Sequence, residues 1–380
     1  MIKNVIIVGA GSYVLGDSFG NGVILPSLMY LQKIGKIENI YIAVRSIRSK
    51  KFYSEIESYK KLLNTDYNPE VLVFKTLDEV EKIDLNKSLA FIAIPDNFHF
   101  EVASFFVTKK VPIWIVKPLT GNFYRSQELC DLALRNNTKI WVDYHKRFDP
   151  SNLKIKEAID SGAYGNLNFY SVQYSQPSIL PLNDLKLWAN DINVLQYIGC
   201  HYIDQIIFLY PDISIKRISC NGIEGTLIKN GGPKFDTIHC IIDFFTKDKK
   251  QIKFDLNVSW SDPKFAPSKS HQRVDLQFEN GRIIADQKNR GMEIWSDSHY
   301  NQVNPNFFQF FKNPFTEDYS PSGYGFESID NFIKILSNPT SKTIENSKLF
   351  PWGFNCIKTD FALSLAQKSL NENGDWVYKL

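Results

Sequence analysis

The first part of the chain alternates short apolar runs with longer amphipathic stretches. Runs at 4–8, 39–44, 71–74, 89–94, 112–116 and 139–142 are rich in Ile and Val and do not alternate strictly. Parallel strands buried on both faces read this way. Helix-length segments such as 25–34 and 99–109 lie between them. Parallel neighbours need a crossover, so this repetition predicts a doubly wound parallel sheet.

After Pro150 the texture changes. Residues 251–260 read QIKFDLNVSW, with Ile252, Phe254, Leu256, Val258 and Trp260 on one face. Val274, Leu276 and Phe278 repeat the alternation and run into Asn280-Gly281, a hairpin signal. Ile238, Cys240, Ile242 and Phe244 follow the same rule. Strict period two predicts antiparallel strands with one face on a core. The expected fold is α/β: an N-terminal Rossmann domain over 1–148, then a C-terminal α+β domain over 149–380 with a mostly antiparallel open sheet. The second face of that sheet can stay wet or meet a second subunit.

A length of 380 residues suits two domains, and 43% hydrophobic residues suit ordinary cores. The balance of 44 basic against 41 acidic residues is too even to argue for nucleic acid or an anionic membrane. No stretch approaches the roughly 20 apolar residues of a membrane span. The apolar run at the N-terminus meets glycines rather than a cleavage site, so it does not read as a signal peptide. Five cysteines, widely spaced and without a Cys-x-x-Cys pair, read as reduced thiols of a cytoplasmic protein. No metal-ligand spacing is present. The partner to expect is a small molecule.

The first strand runs into Gly9-Ala10-Gly11. Glycines there allow a tight turn and let backbone N–H groups approach a pyrophosphate, with Ser12 and Tyr13 next along the same turn. The usual third glycine is replaced by Val14. An insertion explains this: 12–21 form a longer loop, and Gly22 takes the third role where the helix begins. The second strand ends in Arg45 and Ser46, with Arg48 beyond, where an NAD enzyme usually carries an acidic residue. An arginine fork matches a 2′-phosphate, so NADP is favoured over NAD.

Three further segments carry a resemblance. Ile94-Pro95-Asp96-Asn97-Phe98-His99 follows the fourth strand, Val116-Lys117-Pro118-Leu119 the fifth, and Gly199-Cys200-His201-Tyr202-Ile203-Asp204 lies in the second domain. With residues 143–150, DYHKRFDP, their order and spacing resemble the Gfo/Idh/MocA family of glucose–fructose oxidoreductase, inositol dehydrogenase and relatives. The resemblance covers nearly the whole chain. It implies a nicotinamide lying between the domains, with Lys117 and His201 at the reacting carbon. It implies Pro95, Asn97 and His99 near the nicotinamide ribose. Sugars, polyols and sugar nucleotides are its usual substrates, and dimers or tetramers form through the open sheet.

Residue chemistry leads to the same pair. Oxidising a carbinol needs a proton acceptor on oxygen, which a histidine supplies, and a lysine ammonium beside that oxygen stabilises developing negative charge. Two departures stand out. Val116 replaces the glutamate of the family's Glu-Lys-Pro, and Tyr197 replaces an aspartate four residues before His201. On a helix, residues four apart share a face. Tyr197 is therefore a third catalytic candidate, its phenol made more acidic by Lys117. Tyr144, Lys146 and Arg147 at the end of the last parallel strand, Lys186 and Trp188 before the histidine helix, and Asp204 are substrate candidates. The alternative is a dinucleotide-binding regulator without turnover, kept open by Val116 and Tyr197. An enzyme that oxidises and re-reduces its substrate without net cofactor turnover is a third reading.

Overall fold

The computed structural model describes residues 1–17, 20–47, 51–288, 290–298, 300–338 and 347–378. The chain forms two compact units. The first holds Met1–Thr120, Tyr124–Phe148 and Asn306–Asn355; the second holds Gly121–Phe123, Asp149–Pro305 and Cys356–Leu380.

The main sheet of the first unit has six strands: β1 (Ile2–Val8), β2 (Ile37–Val44), β3 (Glu70–Val73), β4 (Ser88–Ile92), β5 (Ile113–Ile115) and β6 (Ile140–Val142). All neighbours are parallel, in the order β3-β2-β1-β4-β5-β6. This is the doubly wound Rossmann order, with its switch point between β1 and β4. Val5, Ile6 and Ile7 of β1 are wholly buried, which is why the run does not alternate. Each such side chain contributes roughly 1.5–3 kcal/mol by leaving water. Helices α1 (Ile24–Lys33), α2 (Lys51–Leu63), α3 (His99–Thr108) and α4 (Phe123–Arg135) supply the crossovers.

The first unit also recruits a late helix, α7 (Tyr324–Ser337). Its Ile329, Phe332 and Ile333 are fully buried, at the three-and-four spacing of one helical face. Phe332 meets Phe91 of β4 at 6.0 Å and Trp141 of β6 at 5.8 Å. The texture change at 148 marks where the chain leaves this unit. The return over 306–355 has no counterpart in the apolar pattern, because α7 reads like any amphipathic helix.

The second unit is built on a seven-stranded sheet. Its strands are β7 (Leu167–Pro177), β8 (Ser214–Ile223), β9 (Thr237–Phe245), β10 (Gln251–Asp262), β11 (His271–Phe278), β12 (Arg282–Asp286) and β13 (Val377–Tyr378), in the order β12-β11-β7-β10-β9-β8-β13. Only β7 and β10 pair parallel; the other ladders are antiparallel. Ile252, Phe254, Leu256, Val258 and Trp260 are all fully buried, as their alternation requires. The Asn280-Gly281 turn joins β11 to β12, with the Phe278 amide donating to the Gly281 carbonyl at 2.8 Å. Helices α5 (Pro150–Asp160) and α6 (Cys200–Leu209) belong to this unit, and α8 (Gly353–Asn371) ends in it. The expected fold class is borne out in both halves.

Among the described residues no helix is long and apolar enough to cross a membrane. None of the five cysteines is in a disulfide, and no described cluster of three or more His, Cys, Asp or Glu could hold a metal ion.

Candidate active site

In the first unit the turn after β1 is fixed by backbone packing. Gly9 has φ +107°, and a Cβ there would lie 2.2 Å from the Ala93 carbonyl oxygen. Only glycine lets the turn press this closely on the chain leaving β4. Gly11 is the opposite case, since a Cβ there would meet nothing within 4 Å. Its backbone faces open space, the condition for a phosphate to approach amide groups. The loop expected over 12–21 is corrected: 12–15 form one helical turn, Ser12–Leu15, and Gly16–Asp17 pairs with Gly20–Asn21. Gly22 packs where a Cβ would fall 2.3 Å from the Val14 carbonyl oxygen, so it supplies close packing of turn on helix. Its amide donates to the Tyr59 hydroxyl at 2.8 Å, which donates in turn to the Leu15 carbonyl at 2.8 Å. Helix α1 begins at Ile24, two residues later than expected.

Beyond β2, Arg45 and Ser46 are exposed. Arg48 lies outside the described residues. Pro95 and Asn97 sit in the turn after β4, half-buried and exposed respectively. Lys117 follows β5, half-buried, and is joined to Pro118 by a cis bond.

Several candidates turn inward. His99 is wholly buried. Its Nδ1 lies 3.0 and 3.1 Å from the Pro118 and Leu119 carbonyls, and its Nε2 lies 3.0 Å from the Ile94 carbonyl. It ties the segment after Lys117 to the end of β4, beside the turn where the resemblance implies a nicotinamide ribose. Arg147 is buried and donates to the Phe350 carbonyl at 3.2 Å. Tyr144 and Lys146 are buried beside it. All three are buried at the strand end rather than exposed there.

Tyr13 is likewise engaged. Its hydroxyl donates to Asp143 Oδ2 at 2.7 Å and lies 3.3 Å from His145 Nδ1. Burial first, then the Asp143 carboxylate, push the phenol pKa well above its usual value. Asp143 Oδ1 accepts from the Ser328 hydroxyl at 2.7 Å, and Ser328 accepts from Trp141 Nε1 at 3.3 Å. His145 stacks on Tyr324 at 5.5 Å. This network locks the turn after β1 to β6 and α7. Ser328 and Tyr324 have no sequence signal, because they arrive on the late helix.

In the second unit His201 lies in the first turn of α6 and is 5% exposed. A π-helical turn, Leu195–Gly199, precedes it. The wider turn corrects the expectation of one continuous α-helix through Tyr197 and His201. The Tyr197 ring packs 5.7 Å from both Trp188 and Trp260. Such π turns recur at functional sites. Asp204, expected to contact substrate, is 1% exposed and accepts from the Thr359 hydroxyl at 3.4 Å. Lys186 is exposed.

Behind α6 lies a network of neutral amides. Asn152 Oδ1 accepts from Gln205 Nε2 and from Gln287 Nε2, each at 2.6 Å. The Tyr202 hydroxyl lies 3.0 Å from the amide oxygens of Gln272 and Gln287. All five residues are buried. Every lost hydrogen bond would strand a polar atom, so the network fixes the helix that carries His201. Its members are scattered along the chain, which hides it from any motif search.

No protein-family model matches the chain. An uncharacterized oxidoreductase of Schizosaccharomyces pombe is 32% identical over 143 residues, 37% of this chain and 38% of that protein. The matched part thus spans well under half of that relative. Inositol 2-dehydrogenase of Rhizobium meliloti is 22% identical over 266 residues, 69% of this chain and 74% of its own. The crystal structure of scyllo-inositol dehydrogenase from Lactobacillus casei with NAD(H) and scyllo-inositol superposes with a TM-score of 0.69 at 15% identity, covering 99% of this chain and 98% of that one. In fold the chain is similar to solved oxidoreductases, inositol dehydrogenases among them.

Proposed function

We propose that the protein is an NAD(P)-dependent oxidoreductase acting on a carbinol or carbonyl of a sugar, polyol or sugar nucleotide. The observation that carries this is the turn after β1. Gly9 is forced by packing and Gly11 is open to an approaching phosphate, at the switch point of a β3-β2-β1-β4-β5-β6 sheet. These residues fit a dinucleotide: Gly11 and Ser12 at the pyrophosphate, Arg45 and Ser46 at the adenosine ribose, Pro95 and Asn97 toward the nicotinamide. When bound, that group supplies the hydride acceptor or donor.

The chain's own residues do the rest. His201 takes the proton from the carbinol oxygen in oxidation and returns it in reduction. Lys117 supplies an ammonium that stabilises negative charge developing on a substrate oxygen. Tyr197 lines the substrate pocket or shares the proton; a Tyr197→Phe variant with unchanged turnover and pH profile removes the second role. Relatives named as inositol dehydrogenases support a polyol-like substrate.

NADP is the proposed cofactor, because Arg45 and Ser46 are exposed at the end of β2 where a carboxylate would repel a 2′-phosphate. Homodimers or homotetramers form through the outward face of the second sheet, and the protein works in the cytoplasm. The deciding experiment is a thermal-shift screen with NAD and NADP, followed by turnover on sugars and polyols. Stabilisation by NADP above NAD, with turnover, supports the reading. Binding without turnover on any carbonyl or carbinol favours a regulator.

A further inference from the structure

The second unit contains a cavity of about 170 Å³, away from His201 in its lining. Its polar wall comes from Asn122, Asn193, Gln196, Ser364 and Gln367. Leu195 and Leu363 add two apolar patches, and Gly121 closes the ring. No lining side chain is ionisable.

The wall is built rather than accidental. Asn193 Nδ2 donates to Gln367 Oε1 at 2.9 Å, and Asn193 Oδ1 accepts from the Gln196 backbone amide at 2.9 Å. Gln367 Nε2 donates to Asn371 Oδ1 at 2.9 Å. Ser364 Oγ accepts from the Phe123 amide at 3.0 Å, which leaves its O–H to donate. At Gly121 a Cβ would come within 2.7 Å of Gln196 Nε2, so the loop lets that amide lie flat against it. The amides are therefore oriented before any ligand arrives, which lowers the cost of ordering on binding.

We infer that this cavity binds a small uncharged polyol, as a second site separate from the chemical one. Three arguments converge. An anion or cation would find no counter-charge in the wall. A hydroxyl both donates and accepts, as do amides and serine, so several hydroxyls can be paired at once. The volume equals roughly five or six waters, which suits a short polyol and excludes a nucleotide. The two leucines face the C–H side of such a molecule. The inference does not depend on the redox reading, since it needs neither dinucleotide nor His201.

The test uses the full chain carrying His201→Ala, without nucleotide, titrated with glycerol and with erythritol by calorimetry. Saturable binding with a dissociation constant on the order of a millimolar is expected, as befits so few ligand atoms. Glycerol 3-phosphate should bind at least tenfold more weakly. Adding Gln367→Ala, an exposed position, should weaken glycerol at least tenfold while the melting temperature stays within about 2 °C. A crystal grown without polyol and soaked in erythritol should show the ligand against Asn193 and Gln196. Absence of saturable binding, or affinity indifferent to Gln367→Ala with no ligand in the cavity, overturns the second site. Either result leaves the oxidoreductase reading untouched, because that reading fails only on cofactor binding and turnover.

Discussion

The two units hold their functional elements by different chemistries. In the first, a carboxylate organises the strand ends: Asp143 accepts from Tyr13 and Ser328 and faces His145. In the second, amides do the equivalent work, with Asn152 joining Gln205 and Gln287 behind the helix of His201. A network containing a phenol and a carboxylate responds to pH. The second network carries no carboxylate; its one phenol, Tyr202, lies 3.0 Å from two amide oxygens. The contrast predicts that removing the Tyr13 phenol changes how stability falls at alkaline pH, whereas removing an amide from the second network does not.

The largest expected effect lies in the chemistry itself. His201→Ala or Lys117→Ala should lower kcat by about 10²–10⁴-fold while NADP binding persists, as titration of each variant would show. Retained turnover in both removes the proposed roles. Next come the two scaffolds. Gly9→Ala places a methyl against the Ala93 carbonyl in a left-handed conformation, and should cost roughly 3 kcal/mol or more together with nucleotide affinity. Asn152→Ala strands two buried amide donors and should cost about 2–5 kcal/mol by urea unfolding. Its unfolding should keep the wild-type dependence on pH.

Tyr13→Phe gives the smallest and most discriminating change. At neutral pH it should cost about 1 kcal/mol for the lost hydrogen bond to Asp143. The folded phenol has a raised pKa, so the unfolded chain ionises first. That contribution is complete below about pH 10 and is lost as pH rises beyond it. The variant should therefore show a shallower alkaline loss of stability than the parent. Equal alkaline slopes in the two proteins would break the contrast between the units.

Much of this arrangement is legible in sequence. Six apolar runs lacking alternation marked the parallel sheet, and alternation within 238–244, 252–260 and 274–278 marked the other. Both follow from which faces are covered. Gly22 is readable because a third glycine must stand where helix packs on turn. The inward turn of His99, Arg147 and Asp204 is not readable. Their types suit a ligand as well as they suit a carbonyl or hydroxyl, and only the tertiary partners decide. The π turn at Leu195–Gly199 is equally hidden, since its residues are ordinary helix formers apart from Gly199. The return of α7 to the first sheet depends on contacts far apart along the chain.

The central proposal is that the chain transfers hydride with a nicotinamide dinucleotide and that Lys117 and His201 are each required. Its most direct measurement follows deuterium from C4-labelled NADPH into sugar and inositol-derived ketones by mass spectrometry. The account predicts label on the new carbinol carbon with the wild-type chain, and its loss in His201→Ala and in Lys117→Ala. Label transferred equally well by both variants, or a wild-type chain that fails to bind either nicotinamide dinucleotide, would contradict it.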